Sequence, residues 1–395
     1  MTFPIRVLHL IEDLGSGGAE RLLFTNLSRL NRKKFDGIVC HLYDRNHHWN
    51  QAIRNLSYPV ICLQLNSVYD LGRGLFRLLK LLNRDPVDLI HTHLYGANLL
   101  GHLAGRVRRI PVLSSIHCPD YEPLMLLDNP ALSRTKLGIL RLVDQFSCRL
   151  ADPEFLAVST YIKQYAVQYL GISPNRICVI YNPIDVNAFA QPAGDTAHLR
   201  SELGIAPHAP VVLCVARLCP QKGVRYLLEA VPMVSGRVPN VCILFVGAAP
   251  PETRRAYLDR AKELGVASRI RFLGIQADVR PYLQLCDVFV LPSLAEGFGM
   301  AVVEAMAMER ACVATRVSAL PEVVEDGQSG ILVEPADPAA LAEAIIRLLD
   351  DPPLRARMGA QGRKLVTERF NAERNVPELE SLYLRILGKG PNVSQ

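Results

Sequence analysis

The stretch Glu296-Gly-Phe-Gly-Met-Ala-Val-Val-Glu304 closely follows the apolar run Val288–Leu291 and the pair Pro292-Ser293. The apolar run is too short to cross a membrane and predicts a buried strand of a parallel sheet. A turn over 292–296 and a helix from Gly299 onward should come next. Glu296 is therefore expected in a loop at the carboxyl end of a strand. Glu304 is expected on the same side, because eight residues at about 100° each end about 80° past two full turns.

Two carboxylates beside the start of a helix suit a particular class of ligand. Backbone N–H groups at a helix N-terminus bind anions such as phosphate, and carboxylates accept hydrogen bonds from hydroxyl groups. The stretch therefore suits a sugar nucleotide. The simpler interpretation is one solvated loop glutamate and one glutamate on an amphipathic helix. For the spacing of the two glutamates alone, that simpler interpretation would be preferred.

Apolar, strand-like runs recur along the chain with helix-length segments between them, which predicts parallel α/β sheets. The pattern restarts after 182–185, and the segment 186–209, rich in Ala, Pro and Gly, is the best linker candidate. We expect a Rossmann-like domain over 1–187, a second over 188–365, and a C-terminal helix and tail over 366–395. The strand-like runs lie at 5–11, 37–43, 59–65, 87–93, 111–117, 155–159, 177–181, 211–216, 241–247, 269–273, 287–291, 311–315 and 330–333.

The composition is that of a globular protein, with 49% of the 395 residues hydrophobic and 21% charged. No apolar run is long enough to predict a transmembrane helix. The ten cysteines are scattered without a C-x-x-C pair, as in a cytoplasmic protein with reduced thiols. Nucleic acid is not an expected partner, because no basic block with interleaved aromatic residues is present.

The net charge of +6 lies entirely in the first half of the chain. Residues 1–190 hold 21 Lys and Arg against 15 Asp and Glu, whereas residues 191–395 hold 23 of each. This excess fits an anionic partner of the first domain, such as a lipid-linked acceptor or a membrane surface. A merely soluble surface explains the excess equally well.

Three groups in the first half are candidates for a site. Gly17 and Gly18 follow the first strand, but Glu20 stands where the dinucleotide fingerprint needs Gly or Ala. The two glycines could form either a tight turn or a loop whose backbone comes close to a phosphate. His91 and His93 alternate on a strand, but no third ligand is evident, so no metal site is expected. His117 ends a further strand, where a lone histidine is more often structural.

Arg217 and Lys222 follow the strand-like run 211–216, with Gly223 and a helix after them. Two cations that converge at the end of a strand can neutralise a diphosphate leaving group without a metal ion. A pair of exposed surface cations is the alternative. No D-x-D metal motif is placed to do the same work.

Several motifs together resemble retaining glycosyltransferases of family 4, which have the GT-B fold. They are G-G-A-E-R at 17–21, R-x4-K-G at 217–223, and P-S-x-x-E-G-F-G with E-x7-E at 292–304. The resemblance extends over nearly the whole chain. It implies two Rossmann-like domains that face each other across a cleft, and a C-terminal helix, around 365–387, that crosses back to the first domain.

The resemblance also implies roles for single residues in binding a nucleotide-diphosphate sugar, with no metal or other cofactor. Arg217 and Lys222 would stabilise the leaving diphosphate during front-face transfer to an acceptor hydroxyl. Glu296 would hold sugar hydroxyls and Glu304 the ribose hydroxyls. The remaining implied contacts are Gly17 and Gly18 with the diphosphate or sugar, His117 with the transferred sugar, Gly274 of an F-x-G turn with the base, and the amides of Phe298, Gly299 and Met300 with sugar or phosphate.

The chain departs from the family at Val246-Gly-Ala-Ala-Pro250, where many members have an acid and a second glycine. Two other functions remain open from the sequence: a sugar-nucleotide epimerase of the same fold, which needs no acceptor, and a non-catalytic binding module. The motifs favour the transferase, in cell-surface polysaccharide or glycolipid synthesis. Its acceptor would be lipid-linked or a saccharide.

One helical stretch, 71–84, carries leucines on one face and cations on the other. The cations are Arg73, Arg77, Lys80 and Arg84. A solvated helix of the sheet is the first interpretation, and a face that docks on an anionic membrane is the second. The second interpretation would make the protein peripheral at the inner face of the membrane.

Overall fold

The structure is a computed structural model that describes residues 4–15, 17–45, 48–67, 69–128 and 132–389. The chain forms two compact units. The first comprises Met1–Tyr121, Ser133–Pro183 and Ala372–Gln395, and the second comprises Glu122–Leu132 and Ile184–Asn371. The sequence placed the boundaries at 187 and 365, and it gave no sign that 122–132 groups with the second unit.

Each unit is built on one parallel sheet, as the apolar runs predict. Each of the thirteen predicted runs contains a strand, although some bounds shift by a few residues. The strands are β1 (Ile5–Ile11), β2 (Phe35–His41), β3 (Val60–Cys62), β4 (Leu89–His93), β5 (Val112–Ile116), β6 (Glu154–Ala157), β7 (Ile177–Val179), β8 (Val211–Val215), β9 (Cys242–Val246), β10 (Ile270–Gly274), β11 (Val288–Leu291), β12 (Ala311–Thr315) and β13 (Gly330–Val333).

Helices connect the strands in the alternation typical of Rossmann-like domains. They are α1 (Gly18–Arg29), α2 (Asn50–Asn55), α3 (Leu71–Arg84), α4 (Tyr95–Arg108), α5 (Met125–Asp128), α6 (Arg134–Ala151), α7 (Thr160–Tyr165), α8 (Val186–Ala190), α9 (Thr196–Glu202), α10 (Val224–Arg237), α11 (Pro251–Glu263), α12 (Arg280–Leu285), α13 (Met300–Ala307), α14 (Leu320–Val323), α15 (Pro338–Asp350), α16 (Pro352–Arg369) and α17 (Ala372–Ile386).

The strand order fixes where a ligand would bind in each unit. In the first unit the order is β3-β2-β1-β4-β5-β6-β7, and in the second it is β10-β9-β8-β11-β12-β13. The direction of chain winding therefore reverses between β1 and β4 and between β8 and β11. In open parallel sheets, ligands bind beyond the carboxyl ends of the strands at such switch points.

The cores lie between the sheets and the apolar faces of their helices. In the first unit, Leu8, Leu10 and Ile90 of the sheet pack with Leu82 and Leu100 of the helices. In the second unit, strands β8, β9 and β11 pack in the same way against α10 and α15. Strands β8, β9 and β11 are apolar throughout because both of their faces are buried. Continuous apolar runs of this kind allowed the strands to be predicted from the sequence.

Two expectations about the segments between domains need correction. The stretch 186–209 is not a plain linker, because it contains α8 and α9 and belongs to the second unit. The C-terminal helix expected around 365–387 is two helices: α16 ends at Arg369 in the second unit, and α17 begins at Ala372 in the first. Helix α17 packs against α1 and buries Tyr383 completely.

Within the described residues, no helix is both long enough and apolar enough to cross a membrane.

Candidate active site

Lys222 and Glu296 meet at the switch point of the second sheet. Lys222 lies at the end of a 3-10 turn (Pro220–Lys222) after β8, and Glu296 lies in the loop after β11. The Lys222 ammonium is 2.6 Å from Glu296 Oε1, and both side chains are largely buried. The Ser293 hydroxyl donates to the same carboxylate oxygen at 2.9 Å. A cation and an acceptor carboxylate thus face each other where the fold favours a ligand.

Gly223 explains how the two strand ends come so close. Its φ of +62° lies in the left-handed region, and a Cβ at this position would be 1.8 Å from the carbonyl oxygen of Pro292. The neighbouring amide of Leu294 donates to the carbonyl of Gln221 at 2.7 Å. Only glycine lets the β8 turn rest on the end of β11 in this way.

Arg217 is the more exposed of the two predicted cations, with 65% of its side chain accessible. Its guanidinium is 3.4 Å from Gln221 Oε1 and 4.0 Å from an Asp128 carboxylate oxygen. Asp128 also accepts a 2.8 Å hydrogen bond from the Gln221 amide. Asp128 was not predicted, because nothing in the sequence around it indicates that 122–132 packs with the second unit.

The helix predicted after Glu296 is α13, which begins at Met300 behind Gly299. Gly299 has a φ of +95°, so residues 296–299 are not helical. The expected 80° relation between the two glutamates is therefore wrong, because helical rotation applies only from Met300 onward. Glu304 lies just over one turn into α13 and is buried.

Phe298 does not offer its ring to a ligand. The ring is buried and packs edge-to-face against Phe370, with ring centroids 5.2 Å apart. Only its backbone could take the contact that the resemblance implies. The side chain instead anchors the loop that carries Glu296.

Gly274 ends β10 at the same edge of the sheet as Arg217. Its carbonyl accepts from the Gly247 amide at 2.8 Å, and Leu218 N donates to the Ala248 carbonyl at 2.7 Å. The loop that departs from the family pattern therefore joins the end of β10 to the loop that carries Arg217. A Cβ on Gly247 would be 1.9 Å from the carbonyl oxygen of Ala216, so this glycine is required for the contact.

Gly17 and Gly18 lie at the start of α1, beside a group of carboxylates. A Cβ on Gly17 would be 2.4 Å from Glu20 Oε2, whereas nothing lies within 4 Å of a Cβ on Gly18. Burial, together with the charges of Asp13 and Glu12, raises the pKa of Glu20 to about 7. The Glu12 carboxylate accepts from the Gly96 amide at 2.6 Å. In the sequence, Glu20 argued against a dinucleotide fingerprint and formed part of the G-G-A-E-R motif, but the acidic group around it was not predicted.

His117 follows β5 and contacts His93 at the end of β4. His117 Nε2 is 3.1 Å from His93 Nδ1, and the two rings stack at 5.3 Å. Burial lowers the pKa of His117 to about 4, so its ring is neutral near pH 7. A neutral imidazole can accept or donate a hydrogen bond to a sugar hydroxyl.

His9 on β1 pairs in register with His91 on β4, which the sequence did not reveal. His9, His91 and His93 each place a ring nitrogen within 4.8 Å of the others, so a third candidate metal ligand does exist. Both ring nitrogens of His91 are already engaged, by Tyr383 at 2.6 Å and Ser115 at 2.8 Å. An ion bound to His91 would have to displace one of these hydroxyl groups.

Comparisons with known proteins identify the family of the chain. A family model described as "Glycosyltransferase Family 4" matches residues 16–188, and one described as "Glycosyl transferases group 1" matches residues 209–351. A D-inositol 3-phosphate glycosyltransferase of Corynebacterium glutamicum is 33% identical over 78% of this chain and 74% of its own length.

Two further proteins are similar over nearly their whole length. The UDP-Gal:alpha-D-GlcNAc-diphosphoundecaprenol alpha-1,3-galactosyltransferase of Escherichia coli is 26% identical over 93% of both chains. The crystal structure of HepE of Anabaena in complex with UDP and glucose superposes with a TM-score of 0.82 at 24% identity, covering 96% of this chain and 100% of that one. The second likeness concerns the fold, and it confirms the predicted GT-B class. Neither an epimerase nor a non-catalytic module finds support among these proteins. The chain therefore belongs to glycosyltransferase family 4, as a retaining transferase that uses a nucleotide sugar.

Proposed function

We propose that this enzyme transfers a hexose from a UDP-hexose to a hydroxyl group of a phosphate-bearing acceptor, in the synthesis of a cell-surface polysaccharide or glycolipid. The observation that carries the proposal is the contact of Lys222 with Glu296 at the switch point of the second sheet, with Arg217 on the loop before Lys222. A UDP donor is supported by the similar E. coli enzyme, which is a UDP-Gal galactosyltransferase, and by HepE, whose crystal structure is a complex with UDP and glucose.

The leaving diphosphate would lie between the cations and the start of α13. Arg217 and Lys222 would stabilise its charge, helped by the backbone amides of Phe298, Gly299 and Met300. Glu304 would accept hydrogen bonds from the ribose hydroxyls and Glu296 from the sugar hydroxyls. Gly274 would contact the base through its backbone.

Glu296 holds the ammonium group of Lys222 in place. A bound diphosphate would offer that ammonium a second, more highly charged partner, which leaves carboxylate oxygens of Glu296 available for sugar hydroxyls. Transfer on the front face would then break the bond between sugar and diphosphate as the acceptor oxygen attacks. The departing diphosphate oxygen would receive the acceptor proton. These side chains supply the required positive charge, so we propose that no metal ion is needed.

On the first unit, Gly17, Gly18 and His117 would face sugar hydroxyls rather than the diphosphate. The resemblance leaves both options open for the two glycines. The carboxylates of Glu12, Asp13 and Glu20 beside them disfavour a diphosphate, because like charges repel in a partly buried site. Carboxylates and a neutral imidazole suit hydroxyl groups well.

The acceptor side of the proposal rests on charge. The Corynebacterium and E. coli relatives act on acceptors that carry phosphate groups, D-inositol 3-phosphate and alpha-D-GlcNAc-diphosphoundecaprenol. The first half of this chain carries the whole net charge of +6. We propose that it meets a phosphate-bearing acceptor that is linked to lipid and presented at an anionic membrane surface.

The test is a binding screen followed by product analysis. UDP, UDP-glucose, UDP-galactose and GDP-mannose are compared by thermal shift, and a ligand at about 100 times its dissociation constant adds about 2.7 kcal/mol of stability. We expect UDP and one UDP-hexose to stabilise the protein, and turnover with a phosphate-bearing acceptor to persist in EDTA. Stabilisation by GDP-mannose alone would contradict the proposed UDP-hexose donor, and turnover that magnesium restores after EDTA would contradict the metal-free mechanism.

A further inference from the structure

Helix α6 exposes a continuous apolar stripe to solvent. At about 100° per residue, its five members fall within an arc of about 100° on one side of the helix. Their size and contiguity are typical of a binding surface rather than of scattered surface residues. The exposed fractions are 55% for Ile139, 61% for Leu142, 38% for Val143, 66% for Phe146 and 40% for Leu150.

The fold does not require this stripe. The side of α6 that packs on the first unit carries Leu137, Asp144, Ser147 and Cys148, all of them buried. These residues lie on the other side of the helix, so packing on the first unit does not account for the apolar outer side. A helix that only covers a sheet would carry polar residues there.

Cations flank the stripe on both sides. Lys136 and Arg149 lie about 60° and 80° from its centre in opposite directions, and both are exposed. The single acid of α6, Asp144, is buried and accepts a hydrogen bond from the Tyr121 hydroxyl at 2.9 Å. The outer face of α6 is therefore apolar and positively charged.

The two helices next to α6 extend this character. Helix α4 packs against both α3 and α6. All three helices lie on one face of the sheet, because the connections β3–β4, β4–β5 and β5–β6 run in the same direction with the usual right-handed crossover. Together they contain ten Lys and Arg, with Asp144 as their only acid. Phe76 on α3 and Val107 on α4 are also exposed.

We propose that the outer face of α6, together with α3 and α4, docks this protein on an anionic lipid bilayer. The apolar stripe would lie in the membrane plane at the boundary of headgroups and acyl chains, with the flanking cations on lipid phosphates. This inference deepens the proposed function, on which it rests for the idea of a lipid-linked acceptor. It moves the centre of the contact from the predicted face of α3 to α6.

Contacts on α3 explain that move. Arg77, one of the four cations predicted to dock, donates to the backbone carbonyls of Leu63 and Gln64. Arg84 pairs with Asp85 at 2.7 Å. Reversing all four charges of α3 would therefore also disturb local structure. Lys136, Arg149 and the apolar side chains of the stripe make no such hydrogen bond or ion pair in the described part of the chain.

A bilayer fits this face better than a second copy of the chain does. A twofold contact would bring the same surface of each copy together. Here it would place up to ten cations of one copy against ten of the other. Anionic headgroups compensate those charges, whereas a second copy adds to the repulsion.

The experiment is sedimentation of the full chain with vesicles of phosphatidylcholine containing about 30% phosphatidylglycerol, against phosphatidylcholine alone, at low and high salt. The variants are L142Q/F146Q, which removes the stripe, and K136Q/R149Q, which removes the flanking charge. The matched control is M233Q/L258Q, which changes two exposed apolar residues of the second unit. Circular dichroism and stabilisation by UDP check the folding of each variant.

We expect wild type and control to sediment with anionic vesicles at low salt. L142Q/F146Q should lose roughly tenfold or more in partitioning at either salt concentration, because buried methylene groups drive insertion. K136Q/R149Q should lose binding mainly at low salt. Equal sedimentation of wild type and L142Q/F146Q overturns the proposal. The proposal is also overturned if wild type binds no vesicles, elutes as a dimer in gel filtration, and becomes a monomer in L142Q/F146Q.

Turnover of a UDP-hexose with a short, water-soluble acceptor is measured on the same proteins. We expect it to be unchanged in L142Q/F146Q. If wild type binds vesicles but never turns over any UDP-hexose, the proposed donor is wrong while the docking surface stands. If turnover is normal and no protein binds vesicles, the docking surface is wrong while the donor stands.

Discussion

At the scale of single residues, the two cations after β8 are not equivalent. Lys222 is largely buried against Glu296, whereas Arg217 is mostly accessible. Removing Lys222 leaves a buried carboxylate with the Ser293 hydroxyl but without its counter-ion. Removing Arg217 leaves Asp128 with the hydrogen bond that it accepts from the backbone amide of Gln221. The two substitutions should therefore differ in what they do to stability.

We predict that Lys222→Met lowers both turnover and the free energy of unfolding, the latter by about 2 kcal/mol, because a buried charge loses its partner. Arg217→Met should lower turnover by a comparable factor and change unfolding by less than about 1 kcal/mol. Urea denaturation and steady-state kinetics measure the two effects. Adding Glu296→Gln to Lys222→Met should recover part of the lost stability, and equal destabilisation by the two single variants would contradict this account.

Glu20 gives the protein a pH dependence that the sequence alone does not suggest. Its pKa rises from an ordinary value of 4.5 to about 7 on folding. Between these two values the unfolded chain releases a proton that the folded protein retains, so the free energy of unfolding falls as pH rises.

We therefore predict that Glu20→Gln stabilises the protein at pH 8 by on the order of 2 kcal/mol and has little effect at pH 4.5. Thermal unfolding from pH 4.5 to 8 measures the difference. Wild type should lose stability relative to the variant across this range. Parallel curves for wild type and variant would show that Glu20 titrates normally in the folded protein.

The sequence identified side chains whose motif is local and missed those that depend on distant packing. Lys222 and Glu296 were both predicted, and their 2.6 Å contact follows from their places at neighbouring strand ends. Ser293 was part of the quoted motif, and its position three residues before Glu296 could have suggested the hydrogen bond. Asp128 and the acidic group around Glu20 could not be predicted, because each depends on how separate segments pack.

At the scale of secondary-structure elements, the turn between β8 and α10 positions the candidate site of the second unit. Gly223 touches the backbone of Pro292 at the end of β11, so the turn and the strand end are in direct contact. This contact brings Lys222 to Glu296. It makes Gly223 a test of the site that does not alter either charged side chain.

We predict that Gly223→Ala weakens UDP binding at least several-fold, because the added Cβ pushes the turn away from β11. Gly204→Ala is the matched control. Gly204 has a φ of +64° but nothing within 4 Å of its Cβ position, so it shares the backbone cost of about 1 kcal/mol without the clash. Calorimetric titration with UDP compares them, and equal affinities would argue against a role for this contact.

The histidines on β1 and β4, together with His117 just after β5, form a neutral array in the first unit. Burial lowers the pKa of His9 to about 3 and of His117 to about 4, and it also lowers those of His91 and His93. His91 and Tyr383 are the aromatic neighbours of His9. Below pH 6.5 the histidines of the unfolded chain bind protons, whereas these buried rings stay neutral in the folded protein. The free energy of unfolding therefore falls as pH falls.

We predict that His9→Leu reduces this acid sensitivity, because it removes a buried titratable ring whose Nδ1 has no partner among the described residues. Between pH 6.5 and 5 the variant should lose about 2 kcal/mol less than wild type. His198→Leu, on the exposed helix α9, is the control and should follow wild type. A variant curve that parallels wild type would show that His9 is protonated in the folded state.

Elements were easier to predict than their roles. Long apolar runs revealed every strand, since both faces of a parallel sheet are buried. Helices α8 and α9 were overlooked because Ala, Pro and Gly in 186–209 are typical of a linker. The break between α16 and α17 carries no proline or glycine, and it follows from the two helices packing on different units.

At the scale of the whole molecule, the chain does not divide at a single point. The first unit needs α17, because two of its side chains form hydrogen bonds within that unit. The Tyr383 hydroxyl bonds to the His91 ring, and the Glu380 carboxylate accepts from the backbone amide of Asn31 at 2.7 Å. The second unit takes 122–132 from within the first half, including Asp128. Each unit is therefore completed by a segment that lies far from it in the sequence.

We predict that residues 1–183 alone fail to unfold cooperatively, because α17 buries Val376, Leu379, Leu382 and Tyr383 in the complete chain. A fragment that joins 1–183 to 372–389 through a flexible linker should regain a cooperative thermal transition. The control carries the same linker and a helix in which those four residues are replaced by Ser. Near-ultraviolet circular dichroism measures the transition, and equal cooperativity of the fragment with and without α17 would refute the prediction.

The path of the chain also constrains how such enzymes can exchange parts during evolution. A recombination event at residue 183 would give the incoming first sheet a terminal helix that coevolved with a different partner. Its Tyr383 hydroxyl would then have to find a histidine like His91 in the new host. Functional hybrids should therefore arise mainly from double crossovers that transfer the last helix along with the first 183 residues.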